Sequence, residues 1–157
     1  IDDAFVRLHG GYNGLMEHAA KGAAEHGGSV AAVSLDGMQW GEFNPHVTEA
    51  RLLASMGERM HAFLDEADIV IAMAGGIGTL HEMTAAIWYA GNIRAVPVVI
   101  AGATAQRLTS FLREQRWIYT SPTRPLSFLH EISEIADLRP LLLPPPRDLR
   151  GQGSEPC

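Results

Sequence analysis

Cysteine is almost missing from this chain: Cys157 is the one instance, and it is the last residue. That excludes an internal disulfide framework and a cysteine metal cluster. Lysine is equally scarce, since Lys21 stands alone within a helical pattern, and a Schiff base to a cofactor has no pocket lysine to form on. Basic residues do not balance the acids, 12 against 18 for a formal net charge of −6, and no basic run interleaves with aromatics. Such a chain is not built to hold a nucleic-acid polymer. Long apolar runs are lacking too: nothing reaches bilayer length or has a signal-peptide pattern, so no membrane partner is expected and a cytoplasmic setting is. The seven histidines (His9, His18, His26, His46, His61, His81 and His130) are scattered, without an HExxH or a neighbouring acidic cluster. No metal and no other cofactor is expected from that set.

What is present is alternation. Strands are predicted at Phe5-Val6-Arg7-Leu8 and at residues 30–35, 69–73 and 96–101. Helical spacing marks residues 15–23 (closed by Gly27-Gly28), 48–66, 80–90 and 104–115, with a short last helix at 129–136. Near-continuous apolar strands separated by helices predict an α/β fold, a Rossmann-like doubly wound parallel sheet in three α/β/α layers. Four strands are few for such a sheet, so a further strand is predicted upstream of Ile1. The length predicts a single domain over residues 1–139, followed by a Pro/Gly-rich tail over 140–157.

The most informative stretch is Ile69-Val70-Ile71-Ala72-Met73-Ala74-Gly75-Gly76-Ile77-Gly78-Thr79-Leu80-His81-Glu82, a strand, a glycine turn and a helix start carrying a carboxylate. Glycines let a ligand approach the main chain, and the free N–H groups and positive dipole end of the helix favour phosphate. No Lys follows Gly78 as GxxxxGK[ST] requires, and the GxGxxG spacing is not met. A small phosphorylated molecule is the expected ligand, rather than a nucleoside triphosphate or a dinucleotide. Thr79-Leu80-His81-Glu82 also fits a capping box, which would turn Glu82 onto the helix's own N–H groups. Both roles stay open for it.

A second glycine turn, Gly10-Gly11-Tyr12-Asn13-Gly14, follows the first strand, and in an open parallel sheet both turns face one crevice. Tyr12 and Asn13 are placed there to touch a ligand; Trp40, Phe43 and His46 belong either to the base end of the pocket or to a surface loop. On the 48–66 helix, Leu52, Leu53, Met56, Met60, Phe63 and Leu64 form an apolar stripe with Arg59 at its edge. That guanidinium either snorkels to water, pairs with Glu58 or Glu66, or recognises a carboxylate or phosphate. Arg51 and Glu58 read as a solvated pair, Asp65 and Asp68 as turn residues, and Trp88 and Tyr89 as packing or a subunit interface. No GxSxG occurs, and Ser34 and Ser55 have no evident His and carboxylate partners.

The segment Gly75-Gly76-Ile77-Gly78-Thr79-Leu80-His81-Glu82, with Met56-Gly57-Glu58-Arg59-Met60 and Gly10-Gly11-Tyr12-Asn13-Gly14-Leu15-Met16, resembles the LOG (lonely guy) family, once labelled lysine decarboxylase-like. The likeness runs over residues 5–120. It implies a Rossmann-type homodimer that hydrolyses the N-glycosidic bond of a nucleoside 5′-monophosphate, AMP or a cytokinin nucleotide, to free base and ribose 5-phosphate without a cofactor. It also implies that Arg59 and Glu82 are catalytic, that Gly75, Gly76, Gly78 and Thr79 hold the phosphate, and that Gly10, Gly11, Gly14 and Met16 form the other loop of the substrate pocket. Three departures stand out: Ala74 where the family has Pro, Met60 where it has Lys or Arg, and the family's first strand, which has no match here. The same loops resemble molybdenum-cofactor carrier proteins, which hold a phosphorylated pterin without turning it over. Retention of both Arg59 and Glu82 favours the hydrolase.

Overall fold

The computed structural model describes residues 6–38 and 40–142. Strands β1 (Val6–His9), β2 (Ser29–Leu35) and β3 (Glu49–Leu53) form one sheet in that order, and β4 (Val70–Ala72), β5 (Val98–Ala101) and β6 (Leu129–Ile132) form another. Every pairing within them is parallel, for example Leu8 beside Ala31 and Ile71 beside Val99. Helices α1 (Leu15–Glu25), α2 (Met56–Glu66), α3 (Ile77–Asn92), α4 (Ala103–Glu114) and the short α5 (Arg139–Leu142) complete the order, with a 3-10 turn at Ile135–Leu138. The fold is the α/β, Rossmann-like class. The edge of β1 away from β2 and that of β4 away from β5 carry no paired strand among the described residues.

Strand composition explains where the core lies. β2 buries Val30, Ala31, Ala32, Val33 and Ser34 in one unbroken run, as a parallel strand covered on both faces must. Val98, Val99 and Ile100 of β5 are likewise fully buried. Each such side chain contributes roughly 1.5–3 kcal/mol by leaving water. Around β4 and β5, α2 supplies Met60 and Leu64, α3 supplies Met83, Ala86 and Ile87, and α4 supplies Ala105 and Leu112. Met60, placed on the apolar stripe of its helix by the sequence pattern, is part of this core.

Residues 48–66 are not one helix. Thr48 is tied to Val30 through both its main chain and its hydroxyl, and residues 49–53 then pair with β2 from Ala31↔Glu49 to Leu35↔Leu53. Ser55 is extended and caps α2: its hydroxyl accepts from Glu58 N–H at 3.2 Å, and Glu58 accepts from Ser55 N–H at 3.1 Å. Helical spacing of Leu52, Leu53 and Met56 therefore spans a strand and a helix, and Leu52 is exposed. Glu58 is a cap rather than half of a solvated pair with Arg51. Arg51 instead meets Glu66 with two bonds of 2.7 Å, joining β3 to the end of α2.

Other boundaries moved as well. Residues 129–132, expected to be helical, form β6 beside β5, because register with Val98–Ala101 satisfies their main chain. α3 begins at Ile77, three residues before the predicted start, since Gly76 takes the cap position. The first predicted strand runs one residue further, to His9, and Phe5 lies outside the described residues. Of the predicted tail, residues 140–142 belong to α5, and 143–157 lie outside the described residues. No helix of the described residues is long and apolar enough to cross a membrane.

Candidate functional site

Arg59 sits in the first turn of α2 and is only 7% exposed. A buried guanidinium needs fixed acceptors, because leaving its N–H groups unpaired there costs several kcal/mol. Two are in place: Nε donates to the Val33 carbonyl of β2 at 3.0 Å, and Nη2 donates to Glu82 Oε1 at 2.6 Å. Arg59 thus bridges the first sheet to the helix that packs on the second. Neither Glu58 nor Glu66 is its partner, since the first caps α2 and the second holds Arg51.

Glu82 lies in the second turn of α3 with its side chain 27% exposed. It does not cap the helix. The cap is Gly76, which makes no side-chain cap bond, and the T-x-x-E pattern starts one turn too late to reach the orphan N–H groups. One carboxylate oxygen is held by Arg59, while the partial exposure keeps the group open to a ligand. A charge-assisted bond of this length fixes the carboxylate's orientation better than a neutral one.

The β4–α3 turn leads into this carboxylate. Gly75, Gly76, Ile77 and Gly78 are all exposed, and the first turn of α3 holds no acidic residue. The helix's first N–H groups and its positive dipole end therefore face outward without an internal anion. Gly75 has no room for any side chain, because a Cβ there would overlap the side chain of Thr79. A cavity of about 280 Å³ lies between α3 and α4, lined by the turn itself at Gly75, Gly76, Ile77 and Thr79 together with Met73, Leu80, Met83 and Leu108. Neither Arg59 nor Glu82 lines it.

The turn after β1 reaches the ion pair from another side. A Cβ on buried Gly10 would lie 3.3 Å from Met16 Sδ, 3.6 Å from Arg59 Nη2 and 3.8 Å from the Tyr12 ring. Gly10, Met16, Tyr12 and the ion pair thus share one neighbourhood. Gly11 takes φ +84°, and a Cβ there would come within 2.5 Å of Ala32 and 2.6 Å of the Phe43 ring. Gly14, at φ +72°, caps α1 and is exposed, with nothing within 4 Å of a Cβ position. Asn13 is exposed as well.

Sequence reasoning missed Asn44 and the partner of Ser34. Asn44 is buried; its Nδ2 donates to the carbonyls of Gly11 at 2.9 Å and Tyr12 at 3.0 Å, and its Oδ1 accepts from His46 N–H at 3.1 Å. Its main-chain N–H also reaches the Gly11 carbonyl, at 2.8 Å. Ser34 Oγ shares a 2.7 Å hydrogen bond with the Tyr12 hydroxyl. An Asn between Phe43 and Pro45 in a glycine-containing loop signals a turn, but nothing local points to acceptors 33 residues away. Of the remaining candidates, Asp65 accepts from the Tyr89 hydroxyl at 3.0 Å, Ser55 caps α2, and Lys21 is an exposed partner of Glu25. No group of three or more His, Cys, Asp or Glu side chains able to hold a metal occurs among the described residues.

Fold and site together define a Rossmann-like α/β protein in which a buried Arg is paired with a partly exposed Glu between two glycine turns. The family described as possible lysine decarboxylase matches residues 16–137, and the chain belongs to it; this is the LOG family of the resemblance above. An uncharacterized protein of Archaeoglobus fulgidus is 30% identical over 100 residues, 62% of this chain and 64% of that protein. The chain thus spans a little under two thirds of the length of the curated relative it matches. Among solved structures, TM1055, a structural genomics target, is similar at a TM-score of 0.68 and 23% identity, over 88% of this chain and 78% of that one. The molybdenum cofactor binding protein of Rippkaea orientalis is similar at 0.64 and 24%, over 89% and 77%. The molybdenum cofactor carrier protein of Chlamydomonas reinhardtii follows at 0.63 and 22%, over 88% and 78%. At these identities the structural likeness establishes the fold alone.

Proposed function

We propose that this chain hydrolyses the N-glycosidic bond of a nucleoside 5′-monophosphate, AMP or a cytokinin-like nucleotide, releasing the base and ribose 5-phosphate. The observation that carries this reading is the 2.6 Å contact between buried Arg59 and partly exposed Glu82. The phosphate is assigned to the start of α3, at Gly75, Gly76, Gly78 and Thr79, where no side chain bonds to the helix's first N–H groups. Glu82 lies four residues beyond Gly78, about 6 Å along the helix axis. A ribose anchored by its phosphate at the terminus can lay its anomeric carbon near that carboxylate.

Breaking the bond builds positive charge on the sugar, which a nearby carboxylate stabilises. Glu82 also takes a proton from water as the water oxygen bonds to the anomeric carbon; the C–N electron pair leaves with the base, which acquires a proton. Arg59 acts as a positioning residue, holding one oxygen of Glu82 so that the other faces the sugar. Gly10, Gly11, Gly14 and Met16 close the pocket from the β1 side. A homodimer in the cytoplasm belongs to the same proposal. Its support is α3, where Ile77 is 81% exposed and Trp88 is also exposed, an uncovered apolar surface on a helix otherwise packed in the core.

Incubation with AMP, CMP, GMP, UMP and a cytokinin nucleotide, followed by chromatography for free base, tests the reading. Base release from at least one nucleotide supports it, and binding without release from all five contradicts it. That second result is what a carrier of a phosphorylated ligand would give. Two structural neighbours are named as a molybdenum cofactor binding protein and a molybdenum cofactor carrier protein, but a carrier role leaves the Arg59–Glu82 pair without a task.

A further inference from the structure

The loop between β2 and β3 carries Trp40, Phe43 and Asn44. Asn44 clamps it to the β1 turn through its bonds to the Gly11 and Tyr12 carbonyls, and Phe43 lies against Gly11 at a spacing that admits no Cβ. Tyr12 is thereby held at both ends. Its hydroxyl meets Ser34, and its ring packs on Phe43 at 5.3 Å between centroids, tilted by 33°. Trp40 meets the same Tyr12 ring edge-on, at 5.7 Å and 83°. Phe43 and Tyr12 are partly buried and serve the packing; Trp40 is 48% exposed and joins neither core cluster.

This corner borders the ion pair. The point 3.6 Å from Arg59 Nη2 that a Gly10 Cβ would occupy is 3.8 Å from Tyr12 Cδ2. Two aromatic planes at nearly a right angle offer a flat ring one face to stack on and one face to meet edge-on, the two favoured geometries for aromatic pairs. On the hydrolase reading, which this inference rests on, the leaving group is such a ring and must lie on the far side of the sugar from the phosphate. We infer that Tyr12 and Trp40 form the wall on which the planar nitrogen heterocycle of the nucleotide stacks, and that Asn44 is the positioning residue that fixes this wall beside Arg59 and Glu82. Stacking reads a π face and not a hydrogen-bond pattern, so the wall accepts purines and pyrimidines alike.

Calorimetry with AMP and with ribose 5-phosphate separates wall from phosphate cradle, using Glu82→Gln protein so that AMP is not consumed. Trp40→Ala in that background is expected to weaken AMP roughly 10–100-fold, the usual worth of one stacked base, while ribose 5-phosphate binding stays unchanged. Trp40→Phe should restore most of the AMP affinity, which a purely structural role for Trp40 would not produce. Unchanged AMP binding in Trp40→Ala, with ribose 5-phosphate still bound, overturns the wall and leaves the hydrolase reading standing. An equal loss for both ligands also overturns it, because that marks a general disturbance of the loop. If the parent protein binds neither ligand, both the reading and the wall fall.

Discussion

The turn after β1 and the turn after β4 share one plan, a buried strand, a glycine turn and a helix, yet they are held in opposite ways. The first is gripped from inside: Gly11 N–H donates to His9 Nδ1 at 2.8 Å, its carbonyl is taken by Asn44, and Phe43 covers it. The second is exposed from Ala74 to Gly78, with no side chain bonded across the helix start. A turn whose polar groups are engaged by its own chain makes a rigid wall. A turn whose N–H groups face outward makes an anion site. Arg59 and Glu82 lie where the two meet.

The largest effect that sharpens this contrast is chemical. Glu82→Gln keeps an acceptor for Arg59, so stability should change by only about 1 kcal/mol, while turnover should fall roughly 10²–10⁴-fold. Paired measurements of base release and melting temperature check both halves; normal turnover would reduce Glu82 to a structural partner of Arg59. Next comes the gripped turn. Gly11→Ala forces a Cβ into Ala32 and Phe43 at φ +84°, and denaturant unfolding should show a loss of about 2–4 kcal/mol.

The open turn should answer in the other direction. Gly78 lies inside α3 with nothing within 4 Å of its Cβ position, so Gly78→Ala should stabilise the unliganded protein by about 0.5–1 kcal/mol. The added methyl also stands where a phosphate must approach, and affinity for ribose 5-phosphate should drop. A stabilised protein that binds the sugar phosphate as well as before would show that the phosphate lies elsewhere.

The smallest effect lies away from both turns. The hydrogen bonds from Arg51 hold the Glu66 carboxyl below its usual range, and Glu66 in turn raises the Arg51 guanidinium. Because the folded pKa of Glu66 is depressed, its contribution is present above the unfolded value, near pH 4, and is lost as pH falls through the folded value. Both side chains are substantially exposed, so Glu66→Gln should cost less than about 1 kcal/mol at neutral pH. Melting curves at neutral and acid pH should converge with those of the unaltered chain as acid is added.

Strand and helix alternation was legible because parallel strands buried on both faces read as continuous apolar runs, as in Val30–Val33 and Val98–Ile100. β3 and β6 were not, since nothing inside Glu49–Leu53 or Leu129–Ile132 distinguishes a strand from a helix turn without its neighbour strand. Arg59 emerged from an apolar stripe that wrongly included Leu52 and Leu53, yet its edge position on the true helix, and its burial, are as that geometry predicts. The T-x-x-E pattern at Thr79 misled because Gly76 starts the helix a turn earlier. Asn44 stayed hidden because its acceptors come from a different part of the chain.

The account is tested most directly by amide NMR of ¹⁵N-labelled protein titrated with ribose 5-phosphate. The prediction is that Gly76, Ile77 and Gly78 shift strongly, while Gly11, whose N–H is already bonded to His9, barely moves. Large shifts at Gly11 through Gly14 with a silent α3 start would place the phosphate at the wrong turn and contradict the assignment of Glu82 to the glycosidic bond.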